Sequence, residues 1–197
     1  MPIVASHLQD GESAVFIDDG DFAAVVNGYQ CVSWENFLRI EADKRSVCLA
    51  VANGKIRETL EKKCSGAEID FFSPRSEQSV IMDAVEIGDG AMLSPFVTIA
   101  SNVQIGRHFH ANLYSYVEHD CIIGDFVTFA PGVKCNGNVR IKDHAYIGSG
   151  AILRQGTIGD PLVIGEGAVI GMGAVVTKSV PAGVTMVGNP AQILKER

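Results

Sequence analysis

The sequence predicts a mainly-β chain: a parallel β-helix preceded by a small α/β unit. Three observations carry this reading. Counting in sixes from Ile81, every sixth residue is apolar without a break through Ile87, Leu93, Ile99, Ile105, Ala111, Val117, Ile123, Phe129, Cys135, Ile141 and Ile147 to Leu153. The count resumes at Ile164, Ile170 and Val176. A helix repeats about every 3.6 residues and a strand about every 2, so a period of six needs a different backbone, and hexapeptide self-similarity marks a parallel β-helix. The second observation is another small apolar residue two positions before most of these, as at Val85, Val97, Val103, Val127, Val133 and Val139. The third is a change of pattern near residue 75, before which short apolar runs alternate with helical ones.

In chain order, Ala14–Asp18 (AVFID) reads as a strand, and Ser33 caps a helix that begins at Trp34. Ser46–Ala52 (SVCLAVA) reads as a buried strand, Gly54–Lys63 as a helix, and Ala67–Phe72 as a third strand. This alternation describes a parallel α/β unit over residues 1–75. Pro74 and the polar run to Gln78 read as a linker, and the repeat occupies 79–192. Glycine often follows the marked apolar position, as at Gly88, Gly106, Gly124, Gly148, Gly165 and Gly171, so each unit is a short strand plus a tight bend. Between Leu153 and Ile164 the segment RQGTIGDPLV exceeds one unit and is expected to bulge outward as a loop.

Bulk composition narrows the function. A chain of 197 residues, 47% hydrophobic and 20% charged, can bury a core. Its net charge of -7 argues against a nucleic-acid partner, which needs a basic face. No apolar stretch is long enough to span a bilayer and no signal-peptide pattern opens the chain, so a cytoplasmic location is expected. Cys31, Cys48, Cys64, Cys121 and Cys135 are odd in number and without CxxC spacing, which reads as free thiols in a reducing compartment. Cys121 and Cys135 fall on inward phases and act as small hydrophobes.

The candidate chemistry is Glu118-His119-Asp120. Val117 points inward, so these three occupy a turn open to solvent. In the hexapeptide-repeat acyltransferases, which this six-residue pattern resembles, three units make a turn, so residues eighteen apart stack on successive coils, and the resemblance implies Ser101 below His119 and Gly137 above it. Histidine titrates near neutrality and suits a general base, and a neighbouring carboxylate can orient the ring and stabilise its protonated form. Gly137 leaves room above the ring, and its N–H can meet a developing oxyanion. Asn112 shares the phase of Glu118 one face away. His108, His110 and His144 raise the alternative of a zinc site.

EHDCIIGDF, APGVKCNGNVRI and the terminal VIGMGAVVTKSVPAGVTMVGNPA resemble the hexapeptide-repeat acetyltransferases, in particular the sialic-acid O-acetyltransferase-like subgroup with its N-acetyltransferases of nucleotide-linked 4-amino-sugars. The resemblance spans nearly all of residues 80–192. It implies a left-handed β-helix of about five coils with three units to a turn. It implies a homotrimer with active sites between subunits, acetyl-CoA as co-substrate, no metal, and a sugar or nucleotide-sugar acceptor in surface glycan biosynthesis. The catalytic histidine of the family falls on His119 with its acidic neighbour on Asp120. The amide contact to the acetyl group falls on Gly137 and an active-site asparagine on Asn112, while coenzyme A would lie near Ser149 and Met172. Thr128 stands where the bacillosamine-pathway enzyme has a second histidine near the acetyl group.

The N-terminal region resembles the subgroup incompletely. Asp18 and Asp19 match an acidic pair that contacts the nucleotide, but AVFIDDG is not preceded by a strand and GxGG turn, so the α/β unit reads as truncated. Asn53-Gly54-Lys55 follows a strand at the usual ligand end of an open α/β sheet. Asp18-Asp19-Gly20 reads equally as a plain turn. Three readings stand beside the amino-sugar acetyltransferase: a sugar O-acetyltransferase, a non-catalytic β-helix scaffold, and a zinc-dependent hydratase. The γ-class carbonic anhydrases on this fold place two zinc ligands five residues apart, whereas here Gly124 follows His119 and Ser149 follows His144 at that distance. Direct transfer is expected, with His119 as base and no covalent acetyl-enzyme on Cys121 or Cys135.

Overall fold

Six-residue units in this chain fold as expected into the coils of a left-handed parallel β-helix, seen in a computed structural model that describes residues 2–20 and 23–194. The chain divides into two compact units after Arg45.

In the first unit, Phe16–Ile17 pairs in parallel with the end of Tyr29–Val32, and Val25–Val26 pairs antiparallel with its start. The hairpin turns on Asn27-Gly28, both at positive φ (50° and 82°), the dipeptide suited to such a turn. Helix Trp34–Arg39 starts where expected, the Ser33 hydroxyl accepting the Asn36 N–H at 3.2 Å. A four-residue helix, Pro2–Ala5, opens the chain.

The second unit begins with Ser46–Val47, paired in parallel with Asp70–Phe71 across the helix Gly54–Gly66. The β-helix follows with three parallel sheets. The first face carries Val85–Ile87, Val103–Ile105, Ile122–Ile123, Val139–Ile141 and Leu162–Ile164. The second runs from Met92–Leu93 through His110–Ala111, Thr128–Phe129, Tyr146–Ile147 and Val169–Ile170 to Thr185–Val187, with Gln192–Ile193 added antiparallel. The third holds Val80–Ile81, Thr98–Ile99, Tyr116–Val117, Lys134–Cys135, Ile152–Leu153 and Val175–Val176. Register follows the eighteen-residue coil, Val117 pairing with Ile99 below and Cys135 above. After the 154–161 loop the offset lengthens, Leu153 pairing with Val176. From Ala91 onward each marked residue and its partner two before it point inward and are buried, so Ile99, Val103, Phe109, Ile147, Leu153 and Ile170 form one continuous core, against which Ile81, Val85 and Ile87 of the first coil are partly buried. Burial of each such side chain stabilises by about 1.5–3 kcal/mol. No helix among the described residues is long and apolar enough to cross a membrane.

The corners use two residue phases for two physical reasons. Three positions after most marked residues the backbone enters the left-handed region, at Ala84, Gly90, Phe96, Asn102, His108, Tyr114, Asp120, Phe126, Gly132, Asn138 and His144 and again at Gly150, Gly167 and Gly173. A non-glycine residue there costs roughly 1–2 kcal/mol. Ring stacking offsets part of that cost: His108, Phe126 and His144 stack at 5.2 and 5.3 Å, and Phe96 and Tyr114 at 4.9 Å. The glycines that follow the marked residues have ordinary φ and serve close approach instead. A Cβ on Gly124 would lie 2.8 Å from the Asp143 backbone nitrogen on the next coil, and that neighbour is backbone that cannot step aside. Gly124→Ala is therefore expected to destabilise the fold by roughly 1–3 kcal/mol. Chemical denaturation checks this, and an unmoved midpoint would refute the close-approach account.

Candidate active site

The third face delivers Tyr116–Val117 to a corner in which Glu118, His119 and Asp120 turn outward before Cys121 returns to the core. Val117 and Cys121 are buried, which anchors both ends of the turn, while the side chains of His119 and Asp120 are 45% and 44% exposed. Asp120 adopts φ 59°, and its carboxylate lies 2.7 Å from His119 Nδ1. With Nδ1 engaged, Nε2 is the free base. The hydrogen bond to Asp120 raises the His119 pKa above its ordinary value; partial burial opposes this and the charges of Asp120 and Glu118 add to it. One coil below, Asn102 Nδ2 donates to Asp120 Oδ1 at 3.3 Å and steadies the carboxylate.

Gly137 sits above the imidazole: a Cβ there would lie 2.6 Å from His119 Cε1 and 2.7 Å from Nε2. Its neighbours tie the corner together, Asn136 N donating to Leu153 O and Asn138 N to His119 O. The Gly137 N–H takes no part in those backbone bonds among the described residues. The 154–161 loop leaves from this same corner one coil higher, and Gly156 N donates to Gly137 O at 2.9 Å. Beside Asp120 a hollow of about 370 Å³ is lined by Ala84, Glu86, Asn102, Gln104, Asp120, Cys121 and Ile122.

The remaining expected residues lie elsewhere. Asn112, Ser149 and Met172 share the corner between the second and third faces. Asn112 Nδ2 donates to Phe129 O at 2.8 Å, Ser149 O accepts from Gly173 N, and Met172 is 83% exposed. Within one chain they are thus one face away from His119. In the first unit, Asp18 accepts the Gly20 N–H at 2.8 Å and Asp19 accepts the Trp34 N–H at 2.7 Å, so both carboxylates hold local backbone. Cys121 and Cys135 are fully buried, and all five cysteines are free thiols. Thr128 is buried on the second face, its Oγ1 donating to Ala52 O at 2.8 Å. His108 and His144 stack on Phe126, and no group of three or more metal-ligating side chains occurs among the described residues. Sequence reading missed Asn102 and the pair Tyr116 Oη–Asn136 Oδ1, 3.0 Å apart beside Gly137. The signal for Asn102 was present, since it lies eighteen residues before Asp120.

No protein-family model matches the chain. The GDP-perosamine N-acetyltransferase of Escherichia coli O157:H7 is 53% identical over 181 residues, covering 92% of this chain and 82% of that protein. The chain belongs to the hexapeptide-repeat sugar N-acetyltransferases. The structure of WeeI from Acinetobacter baumannii AYE superposes on this acetyltransferase with a TM-score of 0.95 at 53% identity, covering 98% of this chain and 92% of that one. The acetyltransferase domain of PglB from Neisseria gonorrhoeae FA1090, solved in complex with acetyl coenzyme A, gives a TM-score of 0.82 at 26% identity, covering 91% and 85%. In this acetyltransferase His119 and Asp120 lie together on a coil corner beneath Gly137.

Proposed function

We propose that this enzyme transfers the acetyl group of acetyl-CoA to the amino group of a GDP-linked amino-sugar, a step of surface glycan biosynthesis in the cytoplasm. The observation that carries the reading is the His119–Asp120 pair, 2.7 Å apart, lying directly beneath Gly137. The acceptor nitrogen attacks the thioester carbonyl and forms the new C–N bond, while His119 Nε2 takes a proton from that nitrogen. The Gly137 N–H receives the developing oxyanion. Collapse of the tetrahedral intermediate breaks the C–S bond, and the imidazolium returns its proton to the departing thiolate. Asp120 holds Nδ1–H throughout, and Glu118 adds negative charge beside the imidazolium. No metal is needed.

Asn112, Ser149 and Met172 lie on a different corner from His119, which fits a homotrimer in which one subunit's donor-binding corner faces the next subunit's base. In that arrangement Ser149 and Met172 hold coenzyme A and Asn112 reaches the acceptor, while Asp18 and Asp19 contact the nucleotide. Light scattering is expected to give three times the 21.0 kDa chain mass.

The defining experiment is thiol release from acetyl-CoA with GDP-, UDP- and dTDP-linked amino-sugars and with the free sugars. Turnover is expected with the nucleotide-linked acceptors, GDP foremost. Turnover confined to free sugars, or to hydroxyl acceptors, overturns the assignment. The pH profile adds an independent check. Because the base must be neutral, kcat/KM falls as pH drops through the raised His119 pKa. Asp120→Asn removes the main cause of that rise, so the acid limb of kcat/KM is expected to move to lower pH. An acid limb that stays in place would show that His119 is not the titrating base.

A further inference from the structure

The outer positions of the second face line up Met92, His110, Thr128 and Tyr146. His110 and Thr128 are buried, whereas Tyr146 is 37% exposed. What closes over Thr128 is the segment Val51–Asn53 with the first turn of the helix Gly54–Gly66, fastened by Arg57. Arg57 is fully buried, yet its guanidinium bonds to no carboxylate among the described residues. One terminal nitrogen donates to Val51 O at 2.8 Å, Ala52 O at 3.0 Å and Thr128 Oγ1 at 2.8 Å. The other donates to Phe126 O at 2.6 Å and Val127 O at 3.1 Å. Ala52 O also receives the Thr128 hydroxyl, so that oxygen is fixed from two sides. Burial without a counter-ion lowers the Arg57 pKa to about 10, and burial together with Arg57 pushes His110 down to about 3, leaving Arg57 the charge at this contact.

Burying a lone guanidinium is costly, and an apolar side chain would hold a helix on a sheet more cheaply. What the guanidinium adds is direction: a planar fork fixes the carbonyls of two segments relative to each other. One segment is Val51–Ala52, followed by Asn53 and Lys55, which stay exposed at the carboxyl end of Ser46–Val47. That is where open parallel sheets bind ligands. The other, Phe126–Thr128, lies on the same coil as His119, one face further along. We propose that Arg57, acting with Thr128, is a positioning residue for the acceptor: it registers the Val51–Lys55 loop against the coil that carries the transfer histidine. The proposal rests on the nucleotide-linked acceptor reading above.

Thr128→Val keeps the volume and removes the hydroxyl, and Arg57→Lys keeps the charge and removes the fork. In both, the KM for the nucleotide-linked amino-sugar is expected to rise about tenfold, as for loss of a buried hydrogen bond to a charged group, with kcat at saturation and the KM for acetyl-CoA near wild type. Hydrogen exchange at residues 51–56 is expected to quicken in Thr128→Val, while exchange at 117–123 stays unchanged. A purely structural role predicts instead a lower melting temperature with both KM values intact, and that result overturns the proposal. So does unchanged exchange at 51–56 in Thr128→Val. Wild-type turnover with an unmoved acceptor KM in that variant sinks this proposal alone. Absence of wild-type turnover with every nucleotide-linked amino-sugar sinks the functional reading and this one with it.

Discussion

His119→Ala is expected to lower kcat by about 10²–10⁴-fold while leaving the fold and acetyl-CoA binding intact, the range for loss of a positioned general base. The fold survives because the His119 side chain is 45% exposed and makes its hydrogen bond at the surface, to Asp120. The strained backbone position of this corner is Asp120, not His119, so alanine meets no conformational obstacle. Substrate affinity survives because proton transfer belongs to the transition state and not to ground-state binding. His119→Asn sharpens the test. An asparagine can still hydrogen-bond Asp120 and fill most of the space under Gly137, but it cannot accept a proton, so it should be as impaired as alanine. Steady-state kinetics with circular dichroism decide the matter: a folded His119→Asn enzyme with near wild-type kcat would exclude His119 as the base.

The corner that carries His119 was legible because the period of six, extended to three units, acts as a coordinate system. It put Gly137 above the ring and Cys121 and Cys135 inside, and the pairing of Val117 with Cys135 realises that register. The left-handed corner phase was not legible as one residue type, since alanine, phenylalanine and tyrosine occupy it alongside the glycine, asparagine, aspartate and histidine that favour such a backbone. What those positions share is a backbone angle, and their rings stack only once the coils exist. The conspicuous glycines mark where the next coil's backbone comes close. The Ser46–Ala52 run reads as one strand, yet only Ser46–Val47 pairs, because the carbonyls of Val51 and Ala52 turn to Arg57 instead of a neighbouring strand. Arg57 and Thr128 lie 71 residues apart with no periodicity linking them, so the contact is invisible before folding. Residues grouped by the family resemblance likewise separate into two corners, a distance that the single-chain coordinate of six cannot bridge and that the homotrimer proposed above would close.

Gly137→Ala is expected to lower kcat/KM by about 100-fold with little change in stability. The added methyl would stand 2.6 Å from His119 Cε1, 2.7 Å from Nε2 and 3.1 Å from Nδ1, closer than carbon atoms tolerate. Every one of those atoms belongs to a half-exposed side chain that can swing away, in contrast to the backbone opposing Gly124. Gly137 has no positive φ, so alanine fits its backbone. The imidazole therefore yields and the fold does not. Swinging the ring breaks the bond to Asp120 and carries Nε2 off the line of attack, and a displacement of about 1 Å at a reacting group costs on the order of 100-fold. The methyl also stands where the thioester carbonyl would approach the Gly137 N–H, which removes the oxyanion contact in the same variant. Because the loss of Asp120 contact lowers the His119 pKa, the imidazole resonance of Gly137→Ala should titrate at lower pH than in the wild type. Melting temperature, kcat/KM and that titration together separate the outcomes. A variant that melts early but, per folded molecule, turns over normally would mean the glycine serves coil packing alone, as at Gly124. An unshifted titration with lost activity would assign the effect to the thioester side, leaving the His119–Asp120 geometry untouched.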